Sequence, residues 1–146
     1  METAAGVVDV KSSPVYFYVQ RNEPYNISGT IPFQNERLNV GRGMNITSGI
    51  FTAPKSGIYF FSFSGVKDVP ANALFIDLYR ISDYVTYITS AIGANVAGLI
   101  TATLSLTLSL KSGDQISLRL YSGQLYDDNV AHYTNFIGML LQEDLF

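Results

Sequence analysis

Cysteine is absent from this chain, which removes a disulfide framework, a thiolate zinc site and a cysteine nucleophile at once. Charge is scarce as well: 14% of residues are Asp, Glu, Lys or Arg, against about 25% in an average soluble domain. The nine basic residues run from Lys11 to Arg119 with no two adjacent, and the net charge is −3. A nucleic-acid backbone requires a cationic track, so nucleic acid is not expected as a partner. Histidine occurs once, at His132, and there is no G-x-S-x-G, no Walker loop and no H-E-x-x-H. The common catalytic templates therefore have nothing to build on. Gly41-Arg42-Gly43 offers half of a dinucleotide loop, but Ile46 stands where the third glycine belongs, and no strand–helix unit surrounds it. It reads as a turn.

Long apolar runs are missing too. A membrane helix needs about 18 uninterrupted apolar residues, and the nearest stretch, Ile88 to Leu110, is broken by Gly93, Asn95, Gly98 and a row of hydroxyls. No membrane span is expected. Met1 to Val10 lacks the basic start and apolar stretch of a secretory signal, so the chain is expected either to be made without one or to begin after it.

What the chain does have is apolar and aromatic substance, 47% and 13% of its 146 residues. One domain of this length buries about 68–70% of the surface its unfolded chain exposes, enough for a core without staples. So few charges leave two readings: apolar surface buried between subunits, or a neutral Ser/Thr/Asn/Tyr surface.

The clearest pattern is Ile100 to Leu110, where Ile100, Ala102, Leu104, Leu106, Leu108 and Leu110 alternate with Thr and Ser. A period of two predicts a strand with one face in a core. Lys111-Ser112-Gly113-Asp114 supplies a turn, and Ile116, Leu118 and Leu120 resume the alternation, which predicts a β-hairpin. Val15 to Val19 and Ile58 to Ser64 are dense in β-branched and aromatic residues and read as strands. Shorter candidates are Ile31 to Phe33, Gly49 to Thr52, Leu74 to Ile81 and Phe136 to Leu141, with Tyr84 to Ile88 as a short strand before a small-residue loop. No capped amphipathic helix and no internal repeat occurs. The reading is all-β and single-domain, with the aromatic stripe Tyr59, Phe61, Phe63 as core.

Isolated site signals are few. Asp127-Asp128-Asn129 is an adjacent acid pair that offers oxygen ligands for Ca²⁺, or else a turn with solvated charge. Asn26-Ile27-Ser28 and Asn45-Ile46-Thr47 are N-glycosylation sequons. His132, in a polar stretch, reads as a loop histidine rather than a general base. No cofactor is expected.

One constellation is much more specific. Gly49, Phe51, Pro54, Gly57, Tyr59 and Phe61, in Gly49-Ile50-Phe51-Thr52-Ala53-Pro54-Lys55-Ser56-Gly57-Ile58-Tyr59-Phe60-Phe61, resemble the G-x-F-x-x-P-x-x-G-x-Y-x-F signature of the C1q domain. Phe51 and the Tyr59/Phe61 pair are expected to anchor two neighbouring strands, with Pro54 and Gly57 fixing the reversal between them. Leu108 to Ile116, with Gly113 and Asp114, is similar to the family's L-x-L-x-x-G-D-x-V segment, and Phe136-Ile137-Gly138-Met139-Leu140 to its closing F-x-G-F-L strand. Met44, Ser117 and Ser82-Asp83 depart from the pattern.

The resemblance implies a jelly-roll β-sandwich of about ten antiparallel strands in two sheets. It implies a head over residues 14–142, after an N-terminal extension of 1–13 and before a tail of 143–146. It also implies a secreted, non-enzymatic homotrimer that binds protein or glycan ligands through surface loops, with innate-immune pattern recognition as one such use. Some relatives carry calcium, with an acid expected in the loop before the long strand; here that loop, Tyr84 to Leu99, contains no Asp or Glu. A tumour-necrosis-factor-like trimeric cytokine is the alternative with the same architecture. A hydrolase, the rival of another class, would need paired acids or a nucleophile on a sheet edge.

Overall fold

The computed structural model describes residues 13–144; residues 1–12 of the expected extension and the last two of the expected tail lie outside them. Among the described residues there are twelve β-strands and no helix. They are β1 (Tyr16–Gln20), β2 (Gly29–Thr30), β3 (Asn35–Val40), β4 (Met44–Asn45), β5 (Ile50–Thr52), β6 (Gly57–Lys67), β7 (Leu74–Ile81), β8 (Val85–Gly93), β9 (Ile100–Leu110), β10 (Gln115–Ser122), β11 (Leu125–Tyr126) and β12 (Asn135–Glu143).

Two antiparallel sheets face each other. In the first, β3, β1, β12, β6 and β9 lie side by side, and β11 pairs with the end of β6 beyond β12. In the second, the order is β4, β5, β10, β7, β8, with β2 on β10 beyond β5. Each long strand sends alternate side chains inward, as the pleat requires. In β6 the inward set is Tyr59, Phe61, Phe63, Gly65 and Lys67, in β7 it is Leu74, Ile76 and Leu78, and in β10 it is Ile116, Leu118 and Leu120; all are buried.

The alternation in β9 has the expected register. Ala102, Leu104 and Leu110 are buried, Ile100, Leu106 and Leu108 are half-buried, and the interleaved Thr and Ser are exposed. The three half-buried residues reflect position: β9 is the edge of the first sheet and faces mainly the edge strand β8 of the second.

Three expectations need correction. First, β9 and β10 are not a hairpin: β9 pairs with β6 from Gly57↔Leu110 to Lys67↔Ile100, whereas β10 pairs with β7 and β5 in the other sheet. The turn itself forms, with the Asp114 N–H donating to Lys111 O at 2.9 Å and Gly113 at φ 95°. A period of two reports which face is buried, not which strand lies alongside, and a turn that crosses the sandwich uses the same residues as one that stays in a sheet. Second, the Pro54–Gly57 segment does not join neighbouring strands; it also crosses, from β5 in the second sheet to β6 in the first. Third, Ile31 to Phe33 is not a strand, although Ile31 and Phe33 are buried; their amides reach Leu118 O and Ile46 O at 2.8 and 2.9 Å from between β2 and β3. In addition β8 runs on to Gly93, and β12 continues to Glu143, whose carboxylate lies 3.4 Å from Lys55 Nζ.

Candidate functional site

The signature aromatics form the centre of the core, while Pro54 and Gly113 are exposed in the turns beside it. Phe51, Tyr59, Phe61 and Phe136 are all buried, with ring centroids 5.7 Å apart for Phe51–Tyr59, 5.8 Å for Phe51–Phe61 and 6.2 Å for Phe61–Phe136. The Tyr59 hydroxyl donates to Lys55 O at 2.7 Å, which satisfies the polar end of a buried ring. Burial pushes its pKa above the usual phenol value. A Cβ at Gly49, Gly57 or Gly138 would overlap the Ile31 carbonyl, the Gln142 carbonyl or the Phe17 ring respectively. Gly113 and Asp114 sit in one crossover and Pro54 in another. The two are laced together: Ala53 and Asp114, Gly113 and Ala53, and Ser112 and the Ser56 hydroxyl make N–H···O bonds of 2.8 Å.

Asp127 and Asp128 organise their own loop. Asp127 is buried and accepts the backbone N–H groups of Asp128, Tyr133 and Thr134, each at 2.8 Å. Asp128 accepts those of Ala131 and Val130 at 2.7 and 2.9 Å, which hold its carboxyl below the usual carboxylate range. These carboxylates serve amides, and among the described residues no group of three or more His, Cys, Asp and Glu converges on a metal position. In the same loop His132 has φ 51°, and its Nδ1 lies 3.1 Å from Arg21 O; a carbonyl only accepts, so Nδ1 carries the proton there. Asn26 and Asn45 are exposed, and Asn45 Oδ1 accepts the Ser48 N–H at 3.2 Å.

Among the described residues two cations, Arg21 and Lys67, are buried with carbonyl partners. Arg21 donates to Pro32 O, Glu23 O and Pro24 O at 2.6, 3.3 and 3.4 Å and lies 4.4 Å over the Tyr25 ring. Desolvation lowers its pKa. Lys67, wholly buried, donates from Nζ to Asp68 O and Pro70 O at 2.7 and 2.9 Å and so folds the β6–β7 connection onto its own strand.

Two surfaces remain. The outer face of the first sheet carries Tyr16, Tyr18, Leu38, Phe60, Ile137 and Met139, which are cross-strand neighbours through Tyr16↔Met139, Tyr18↔Ile137, Tyr18↔Leu38 and Met139↔Phe60. An apolar hollow of about 260 Å³ opens among Tyr16, Tyr18, Leu38, Ile137 and Met139.

The outer face of the second sheet is different in kind. Phe75, Asp77 and Tyr79 alternate with the buried Leu74, Ile76 and Leu78 and so point away from the core. Tyr79 stacks edge-on against Tyr87 at 5.8 Å, Phe75 against Tyr121 at 6.3 Å, and the Arg119 guanidinium lies 5.2 Å over Tyr79. Asp77 is only 7% exposed, and its Oδ1 accepts the Ser90 hydroxyl at 2.6 Å. The Ser90 proton being used there, the Tyr87 hydroxyl must donate to Ser90 Oγ, 2.9 Å away. Ser28, Gly29, Asp77, Tyr79, Arg119 and Tyr121 line a cleft of about 360 Å³. Sequence reading missed this cleft; the only signal for it was an acid and a tyrosine on the polar phase of a strand whose other phase is Leu and Ile.

Residues 16–141 match the family model of the C1q domain. The mouse Complement C1q tumor necrosis factor-related protein 3 is 30% identical over 125 residues, which are 81% of this chain and 47% of that protein, so the chain spans about half the length of this relative. Among solved structures, the globular domain of the zebrafish complement 1qA protein superposes with a TM-score of 0.73 at 19% identity, covering 89% of this chain and 99% of that one. The Eiger TNF of S. frugiperda superposes with a TM-score of 0.72 at 12% identity, covering 92% and 97%. The shape alone is thus common to a C1q head and a TNF ligand. With the signature aromatics at the centre of the core and the family match running from β1 into β12, the chain belongs to the C1q domain family.

Proposed function

We propose that the chain is a non-enzymatic recognition head that works as a secreted homotrimer. The observation that carries this reading is the outer face of the first sheet. Its strands β1, β6, β9 and β12 present Tyr, Phe, Ile, Val, Met, Leu, Ser and Thr there with the amides Gln20 and Asn135, and no charge before Glu143 at the end; the edge strand β3 adds the exposed Glu36 and Arg37. A neutral face centred on Tyr16, Tyr18, Ile137 and Met139 has the composition of a subunit contact rather than of free surface.

A second apolar surface lies elsewhere, on the open edge where Ile88 of β8 and Leu106 and Leu108 of β9 pack against the core while staying half-buried. Face and edge differ, so a contact between them is heterologous, and such a contact closes into a ring when the rotation allows. A three-fold ring is the form that the C1q resemblance implies. Light scattering at micromolar concentration tests it: about 48 kDa, three times 16.0 kDa, is expected, and Met139→Lys should give a folded monomer. A wild-type monomer with an intact fold would overturn the reading.

A further inference from the structure

The cleft on the second sheet brings together the Asp77 carboxylate, the Arg119 guanidinium, Ser28 and the rings of Tyr79 and Tyr121. Asp77 brings a carboxylate whose Oδ2 has no hydrogen-bond partner among the described residues, although the residue is more than nine-tenths buried. Its cross-strand neighbour is Arg119, and no ion pair joins the two; the guanidinium lies over Tyr79 instead. An anion entering the cleft would meet Asp77, and a cation would meet Arg119. A wholly apolar group would strip water from the open carboxylate oxygen and return nothing. A neutral molecule with hydroxyls along its rim and an apolar C–H face suits all three walls, and the cleft, about 360 Å³, falls at the lower end of the about 300–1,000 Å³ of small-molecule sites.

We propose that this cleft binds a neutral sugar ring. Tyr121, 70% exposed at the rim and braced by Phe75, is the platform for the ring's C–H face. Asp77 Oδ2 accepts a sugar hydroxyl in a charge-assisted hydrogen bond, and the Arg119 guanidinium donates to a ring or hydroxyl oxygen. The Tyr87–Ser90–Asp77 chain of hydroxyls fixes the carboxylate before the ligand arrives, so little ordering is left to do on binding. The inference rests on the recognition-head reading and names the ligand class of that head. In a ring of three heads the cleft would occur three times, which raises avidity without new contacts.

The test uses the purified chain on a printed array of neutral and sialylated oligosaccharides, followed by saturation-transfer NMR with free glucose, galactose, mannose and N-acetylglucosamine. Binding to neutral glycans is expected. Tyr121→Ala and Asp77→Asn should each weaken it about tenfold or more, with melting temperature and mass by light scattering unchanged for Tyr121→Ala. Binding only to sialylated glycans, binding to no glycan, or neutral-glycan binding indifferent to both variants would each overturn the assignment. Mass separates the two readings: a trimer without sugar binding removes the cleft and leaves the assembly, whereas a monomer that binds sugar through Tyr121 does the reverse.

Discussion

The Ala53 N–H donates to the carbonyl oxygen of Asp114 at 2.8 Å, tying together two of the places where the chain passes from one sheet to the other, the β5–β6 and β9–β10 connections. Lys111 N–H adds a 2.9 Å bond to the Asp114 carboxylate. Gly113, at φ 95°, completes the turn. Its missing Cβ would meet open space, so replacing it tests the backbone alone. Gly113→Ala is expected to cost about 1–2 kcal/mol, a drop of about 2–8 °C in melting temperature for a domain of this size. Calorimetry that finds no drop would show the turn to be less tightly held than its hydrogen bonds imply.

Inward positions of β9 differ in depth, and their substitutions should differ in the same order. Leu104 is 8% exposed, while Leu106 is half-buried at the sandwich edge and Thr107 points outward. Leu104→Asp would bury an unpaired carboxylate and is expected to lose about 3 kcal/mol or more. Leu106→Asp should lose about 1–2 kcal/mol of burial, and Thr107→Asp should leave the fold of the single chain intact. Urea unfolding of the three variants gives the order directly, and equal midpoints would contradict the register.

For the 127–134 loop, the carboxylates are structural. Asp127→Ala leaves three amides without their acceptor and is expected to cost about 2–4 kcal/mol. Asp128→Ala, at an exposed carboxylate, should cost less. Because Asp128 is held below its ordinary pKa, its contribution is present above about pH 3.9 and disappears as pH falls through the folded value. Assembly is expected to be independent of calcium. A chelator that lowered melting temperature or mass reversibly, in wild type but not in Asp127→Asn/Asp128→Asn, would make the pair a metal site instead.

Tyr59 gives a prediction at the other end of the pH scale. Its folded pKa is raised by burial, so the native state holds the phenolic proton where the unfolded chain releases it. The resulting stability is complete below about pH 10 and falls as pH rises towards the folded value. Melting temperature between about pH 9.5 and 11.5 should therefore decline more steeply for wild type than for Tyr59→Phe. Parallel curves would assign the alkaline loss to other groups.

How much of this could be read from residues alone follows physical lines. The strands Leu74–Ile81 and Ile100–Leu110 are legible to the residue, because a face packed against a core imposes a period of two. Strand β3, Asn35–Val40, carries Glu36, Arg37 and Leu38 exposed at the edge of its sheet and so has no such period to read. Nor does a strand record its neighbours. Tyr79 and Arg119 meet only because β7 and β10 lie side by side, and Ser90 reaches Asp77 only across β7 and β8. The cleft is a property of β2, β7 and β10 together, with β8 behind Asp77, and is invisible in any one of them.

Lys67 has a use beyond its place in the β6–β7 connection. The sequence holds four lysines, Lys11, Lys55, Lys67 and Lys111. Lys111 is exposed and Lys55 partly so, whereas the Lys67 side chain is enclosed. An amine-reactive label can reach Lys67 only after the end of the sandwich opens, so its rate of acetylation clocks that opening while Lys111 gives the reagent's own rate. The chain thus carries an internal gauge of its own integrity, readable by mass spectrometry without any engineered probe.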